Sequence, residues 1–251
     1  MPGITPGHNL PVNEPLRAPD AFATTHWSLV LHAGGLHTSS AARAWESLAR
    51  VYWSPLYRYA SRRGHAHHAA EDLVQSFFAR LLEKNVLREA SQARGRFRSF
   101  LLSSFQNFLA NEYDHATALK RGGVQTKLSL EDANPDNLTA SDELSAEKVY
   151  DRAWAETVLS QALRRLETEF AKSGKQEQFR ALKPFLFRLP SAGEYQSVAI
   201  QLGIRPSLMS TVVSRLRQRL RELVRAEIAH TVAHLADVDD ETRYLVSLLT
   251  T

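Results

Sequence analysis

The sequence predicts an all-α protein: two small helical bundles joined by a flexible linker, with a helix-turn-helix in the C-terminal bundle. Three observations predict this. Apolar residues recur every three or four positions through one segment after another, the periodicity of amphipathic helices. No segment sustains the apolar–polar alternation of a half-buried strand. Between residues 122 and 142 the chain turns polar and acidic and carries no aromatic residue, which divides the helical pattern in two. With 251 residues, 43% of them hydrophobic, the chain has material for two cores.

Residues 1–23 hold Pro2, Pro6, Pro11, Pro15 and Pro19 with few large apolar groups, a spacing that blocks helix and ladder formation and predicts a disordered arm. A first domain is expected over residues 24–121. Trp27, Leu29, Val30 and Leu31 make a short apolar helix that stops at Gly34-Gly35. "SSAARAWESLARVYWSPLYRYASRRG" follows, with Trp45, Leu48, Ala49, Tyr52, Leu56 and Tyr59 as its buried stripe. Ser39 or Ser40 suits its cap, Pro55 a kink and Gly64 its stop. "HHAAEDLVQSFFARLLEKN" has the stripe Leu73, Phe77, Phe78, Leu81 and Leu82, with Glu71 and Asp72 expected in the first turn, where the helix dipole favours acids. "GRFRSFLLSSFQNFLANEY" gathers Phe97, Leu101, Leu102, Phe105, Phe108 and Leu109 on one face. Its opposite half holds Ser99, Ser103, Ser104, Gln106, Asn107 and Asn111, a surface of small neutral hydrogen-bonding groups suited to touching something else. This helix runs to the Lys120–Gly123 region.

After the acidic linker of residues 122–142 a second domain is expected over 143–230. "AEKVYDRAWAETVLSQALRRLETEFAK" repeats Val149, Ala153, Val158, Leu159, Ala162, Leu163, Leu166 and Phe170 on one side. "KQEQFRALKPFLFRLP" carries Phe179, Leu182, Phe185 and Leu186, with Pro184 as a break. "GEYQSVAIQLGIRPSLMSTVVSRLRQRLRELVR" is the most specific segment. Tyr195, Val198, Ala199 and Leu202 give a short helix ending at Gly203, Ile204 plugs the core, and Pro206 suits the first position of the next helix. That helix is expected to bury Leu208, Val212, Leu216 and Leu220 at steps of four. A short helix, a glycine turn and a longer basic helix form the helix-turn-helix pattern. Such a unit inserts its second helix into the major groove N-terminus first, so Ser207, Met209, Ser210, Thr211 and Ser214 are candidates for base edges. Arg205, Arg215, Arg217 and Arg219 suit phosphates or a guanine.

On these segments the chain resembles a sigma factor of the extracytoplasmic-function type, a two-domain initiation subunit of bacterial RNA polymerase. "AAEDLVQSFFARLLEKN" resembles the family's core-binding helix, "FRSFLLSSFQNFLANEYDHATALKRGG" its −10 element helix, and "YQSVAIQLGIRPSLMSTVVSRLRQRLREL" its −35 reader. "TTHWSLVLHAG", "YWSPLYRYA", "RGRFRSFLL" and "ALKPFL" resemble a planctomycete and verrucomicrobial subgroup. The resemblance spans about residues 24 to 230 and keeps the motif order; it departs in "PSLMSTVVS", where the family is rich in alanine, valine and basic residues. The resemblance implies that Asn107 and Asn111 line a pocket for a flipped −10 base, with Phe97 and Arg98 in or beside the loop that closes over it. Arg94, Arg96, Lys120 and Arg121 bracket that element and can neutralise phosphates. It also implies that Asp72, Gln75, Ser76, Phe78 and Arg80 meet the beta-prime clamp of core RNA polymerase. The implied partners are core polymerase, through the beta-prime clamp and beta flap, and promoter DNA; an anti-sigma factor stays open.

The rival classes find less support. "HAHHAAED" places His65, His67 and His68 near Glu71 and Asp72 without a His-x-x-x-His pair, and no phosphate loop or nucleophile elbow is present, so neither a metal site, a cofactor nor an enzyme is expected. "EDANPDN" lacks the glycine and final glutamate of a calcium loop. A stand-alone helix-turn-helix regulator is the alternative. It would normally need two-fold symmetry, where this chain offers two different domains. Absence of cysteine, of an apolar run long enough to span a bilayer and of a signal-peptide pattern leads to the expectation of a cytoplasmic protein with no membrane partner. In the extension at 231–251, Leu235, Val238, Tyr244, Leu245, Leu248 and Leu249 suit a short helix docked on one of the domains, either as a restraint in the absence of polymerase or as a tail without a regulatory role.

Overall fold

The computed structural model describes residues 39–83, 96–121, 145–232 and 234–250. Arg94, the arm, the Trp27–Leu31 segment and the linker lie outside the described residues. Within them the protein is all-helical. The first helix set is α1 (Ser39–Arg62), α2 (His67–Glu83) and α3 (Phe97–Arg121). The second is α4 (Ala146–Lys172), α5 (Gln176–Leu182), α6 (Glu194–Leu202), α7 (Met209–Ala229) and α8 (Val238–Thr250), with short 3₁₀ turns at Lys183–Leu186, Pro206–Leu208 and Leu235–Asp237.

The helix boundaries follow local chemistry. α1 begins at Ser39, so Ser40 lies inside it, and the helix continues through Pro55 as one element. Ser145 caps α4, its hydroxyl accepting from the Lys148 N–H at 3.3 Å. Pro184 lacks the N–H that α5 needs to continue, and the chain tightens there into the 3₁₀ turn. α2 begins at His67, which moves Glu71 and Asp72 into its second turn and away from the dipole position expected for them.

An aromatic cluster packs the first set. Phe77 of α2 meets Phe105 of α3 edge-on at 4.9 Å, and Tyr59 of α1 meets Phe105 at 6.1 Å. Phe97 opens α3 against Tyr52 of α1 at 5.1 Å. The two helix sets are in contact, with α1 packing along α4 more extensively than any other described pair of helices. Tyr150 and Trp154 of α4, both fully buried, were not on the stripe read from the sequence. That stripe treats α4 as one-sided, whereas α4 meets α1, α5, α7 and α8 and is buried on more than one face. The α1–α4 seam is edged by Arg58–Glu156 at 2.7 Å and by Gln106, which donates to the Tyr59 hydroxyl at 3.0 Å. Buried residues of both sets form one continuous core.

Candidate nucleic-acid interface

The turn between α6 and α7 starts from Gly203, whose φ of 63° is left-handed, a conformation that costs any residue with a Cβ. The Ile204 N–H donates to the Ala199 carbonyl at 2.9 Å and the Gly203 N–H to Ile200 at 3.2 Å, a Schellman closure that ends α6. Pro206 then sets the 3₁₀ turn from which α7 leaves. Arg205, Ser207, Ser210, Thr211, Ser214 and Arg215 are all exposed, and they present a polar face free of carboxylates.

Three residues assigned to that face belong elsewhere. Met209 is fully buried and Leu208 half-exposed, because the stripe of α7 runs Met209, Val213, Leu216 and Leu220. Strict steps of four drift about 40° each time around a helix of 3.6 residues per turn, and the step of three from Val213 to Leu216 corrects the drift. Arg217 is turned inward, donating from Nε to the Phe185 carbonyl and from Nη2 to the Arg188 carbonyl, each at 2.9 Å. Arg219 forks onto Glu169 of α4 at 2.7 and 2.9 Å and reaches Glu222 at 2.9 Å. The hydrogen bonds to Glu169 above all raise its pKa, against the desolvation that lowers it. Neither guanidinium is free for phosphate in this arrangement.

A second surface lies between α2 and α3. Phe77, Arg80, Leu81, Ser104, Asn107, Phe108 and Asn111 line an open depression of about 190 Å³. That is below the roughly 300 Å³ at which drug-sized sites begin, so it has room only for a small group. Phe77, Leu81 and Phe108 form an apolar floor, and the amides of Asn107 and Asn111, one helical turn apart, stand at the exposed lip. Arg80 stacks over the Phe108 ring at 5.6 Å and pairs with Glu112 at 3.5 Å. Arg80, assigned by resemblance to the polymerase face, therefore lines this depression. Hydrogen-bonding amides, an aromatic floor and a cation are the groups that hold an unstacked base.

The head of α3 departs from expectation. Phe97 is buried as the first residue of the helix, packed on Tyr52 and not among the residues that line the depression. Arg98 is 8% exposed. Its guanidinium pairs with Asp151 of α4 and with Glu241 of α8 at 3.5 Å, between the rings of Trp154 at 5.1 Å and Tyr244 at 4.5 Å. The Tyr150 hydroxyl donates to the Arg98 carbonyl at 3.0 Å. Burial lowers the Arg98 pKa, and the charges of Glu241 and then Asp151 outweigh it, for a net rise. Arg96 is partly exposed and contacts Glu241 at 2.5 Å. Lys120 and Arg121 close α3, and their side chains lie outside the description.

On α2, Asp72, Gln75 and Ser76 are exposed together. Phe78 is buried, edge-on to Trp45 at 5.7 Å and stacked on Trp53 at 5.9 Å. The apolar group at that surface is thus the half-exposed Trp53 of α1, which the sequence reading passed over. Ligand atoms of His67, His68 and Glu71 lie within 4.8 Å of one another, a grouping missed by looking only for two histidines four apart. Both histidines are exposed and Glu71 is partly so, and His67 Nδ1 is engaged by the Tyr57 hydroxyl at 2.6 Å. No helix among the described residues is long and apolar enough to cross a membrane. Compared with known proteins, the chain matches no family model, no curated protein and no solved structure.

Proposed function

We propose that the protein is a sigma factor: it binds core RNA polymerase and directs promoter recognition, −10 melting and initiation. The observation that carries this reading is a division of labour on one chain. The depression under Asn107 and Asn111 has the chemistry to hold a single unpaired base. The polar face from Ser207 to Arg215 has the hydroxyl and guanidinium groups that read a duplex from the major groove. A protein that both reads a duplex and retains a melted base fits an initiation subunit. On this reading α6 and α7 are a helix-turn-helix, Asp72, Gln75 and Ser76 with Trp53 meet the polymerase clamp, and the protein works in the cytoplasm without a catalytic site of its own.

Copurification with core RNA polymerase, followed by run-off transcription on genomic fragments, tests it. The expected result is initiation that needs both polymerase and this chain. Operator binding that proceeds without polymerase, with no polymerase captured, would replace this reading with a stand-alone DNA-binding regulator.

A further inference from the structure

α8 reaches both helix sets. It docks on α4 and α7 through Val238 and Leu245, with Leu248 and Leu249 partly covered, and its Asp239 pairs with Arg225 of α7. From the same helix the Tyr244 hydroxyl donates to Asp151 of α4 at 2.7 Å. Glu241, 1% exposed, reaches across to the other set and takes Arg96 at 2.5 Å and Arg98 at 3.5 Å. The acid is thus closed over two arginines at the head of the helix that carries Asn107 and Asn111.

Two features make this contact releasable. Arg98 Nε and Glu241 Oε2 are buried without a hydrogen-bond partner, so the network is only partly satisfied, and the cost of keeping those two atoms from water offsets part of what its ion pairs contribute. Arg96 sits at the rim with its side chain 39% exposed, where a competing anion can reach it. A phosphate oxygen makes the same charge-assisted N–H···O⁻ contact as the Glu241 carboxylate.

We propose that α8 is a displaceable strap: Glu241 ties the head of α3 to α8, which is docked on α4, and withholds Arg96 from the nucleic-acid backbone until polymerase and promoter are bound. This inference rests on the sigma-factor reading. Arg98 stays with Asp151 when the strap lifts, and Arg96 becomes the phosphate contact. A closed majority state lowers apparent affinity by the fraction of molecules that are open, so loosening the strap raises affinity.

The chain has no cysteine, so a spin-label pair can be introduced at Ser99→Cys on α3 and Val246→Cys on α8, both exposed. Distances are measured by double electron–electron resonance in the full chain, with and without Glu241→Gln, free and with core polymerase plus a forked promoter fragment. One narrow distance is expected in the free parent protein, and a longer, broader one in E241Q and in the parent bound to polymerase. Holoenzyme affinity for the forked fragment should rise about tenfold in E241Q. Adding Arg96→Ala to E241Q should abolish that gain. Where E241Q fails to fold by circular dichroism, Arg225→Ala serves, since it loosens α8 at a surface ion pair and leaves the buried cluster intact; the same direction is expected with a smaller gain. An unchanged distance in a folded strap variant, or a longer distance with no gain in affinity, overturns the strap while parent binding to polymerase stands. Failure of the parent to bind polymerase at all overturns the sigma reading, and the strap as a brake on initiation with it.

Discussion

Arg217 donates from Nε to the carbonyl of Phe185 at 2.9 Å, tying the middle of α7 to the 3₁₀ turn that follows α5. A residue that looks like a phosphate grip in the sequence is a bracket inside the fold. Charged hydrogen bonds of this kind contribute about 1.5–3 kcal/mol each. Arg217→Ala should therefore lower the melting temperature. Arg215→Ala, which removes an exposed guanidinium, should leave melting unchanged and reduce the salt slope of duplex binding by about one. Thermal melts beside a salt titration separate the two, and equal behaviour of both variants would refute the assignment.

Asn107→Ala and Asn111→Ala should leave the fold intact, because both side chains are exposed at the lip of the depression. The defect should fall on promoter opening, read by permanganate reactivity, and spare closed-complex binding. A template mismatched across the −10 element already bears the unstacking cost of a few kcal/mol, so it should still show the defect. Normal opening alongside a lowered melting temperature would mean a packing role instead.

Trp154 is fully buried on α4, the helix along which α1 packs. Trp154→Ala should cost about 3–5 kcal/mol. The two helix sets share one core, so probes on α2 and α7 should report a single transition that moves as one. Two separated transitions, with only the α4–α8 set destabilised, would show that the seam does not couple them.

Glu194 stands beside Arg188, whose guanidinium above all holds its carboxyl down at about 2, with help from the Ser191 N–H at 2.8 Å. A depressed carboxylate contributes stability that is complete above its unfolded value near 4.5 and is lost as pH falls toward 2. The pair lies at the surface, so salt screens it and its contribution is small. The difference in melting temperature between the parent and Glu194→Gln should be present at neutral pH, fade over that acidic window, and shrink in concentrated salt. A difference that persists at the acid end would assign the effect to packing.

Helix identity was legible because it depends on neighbours in the chain. The stripe through Leu48, Tyr52, Leu56 and Tyr59 in α1, the break at Pro184 and the stop at Gly203 are all local signals, and each reappears in the fold. The seam between the helix sets was not legible. Tyr150 and Trp154 could be recognised as a second buried face only by knowing that α1 lies against it. Charge was the least legible property of the site. Arg96, Arg217 and Arg219 read as a basic supply for phosphates and Arg98 as a residue in or beside a loop over the base, and their acceptors are Glu241, Asp151, Glu169 and carbonyls far away in the chain. The amides of Asn107 and Asn111 were recoverable because a helical face of small polar groups is visible by periodicity alone.

The buried group of Arg98, Asp151 and Glu241 has an evolutionary consequence. Losing either acid strands part of a buried positive charge, and losing the arginine leaves Asp151 without its ion-pair partner, a loss of about 3–5 kcal/mol when one partner of a buried pair is removed. Replacing the whole group with apolar side chains of matching volume is often neutral or better. Single substitutions are therefore costly while the joint one is open, and lineages descending from a common ancestor of this chain should more often keep the trio or exchange it together than lose one member. The three positions lie in three different helices, so their joint inheritance would be a record of the folded contact written across distant parts of the gene.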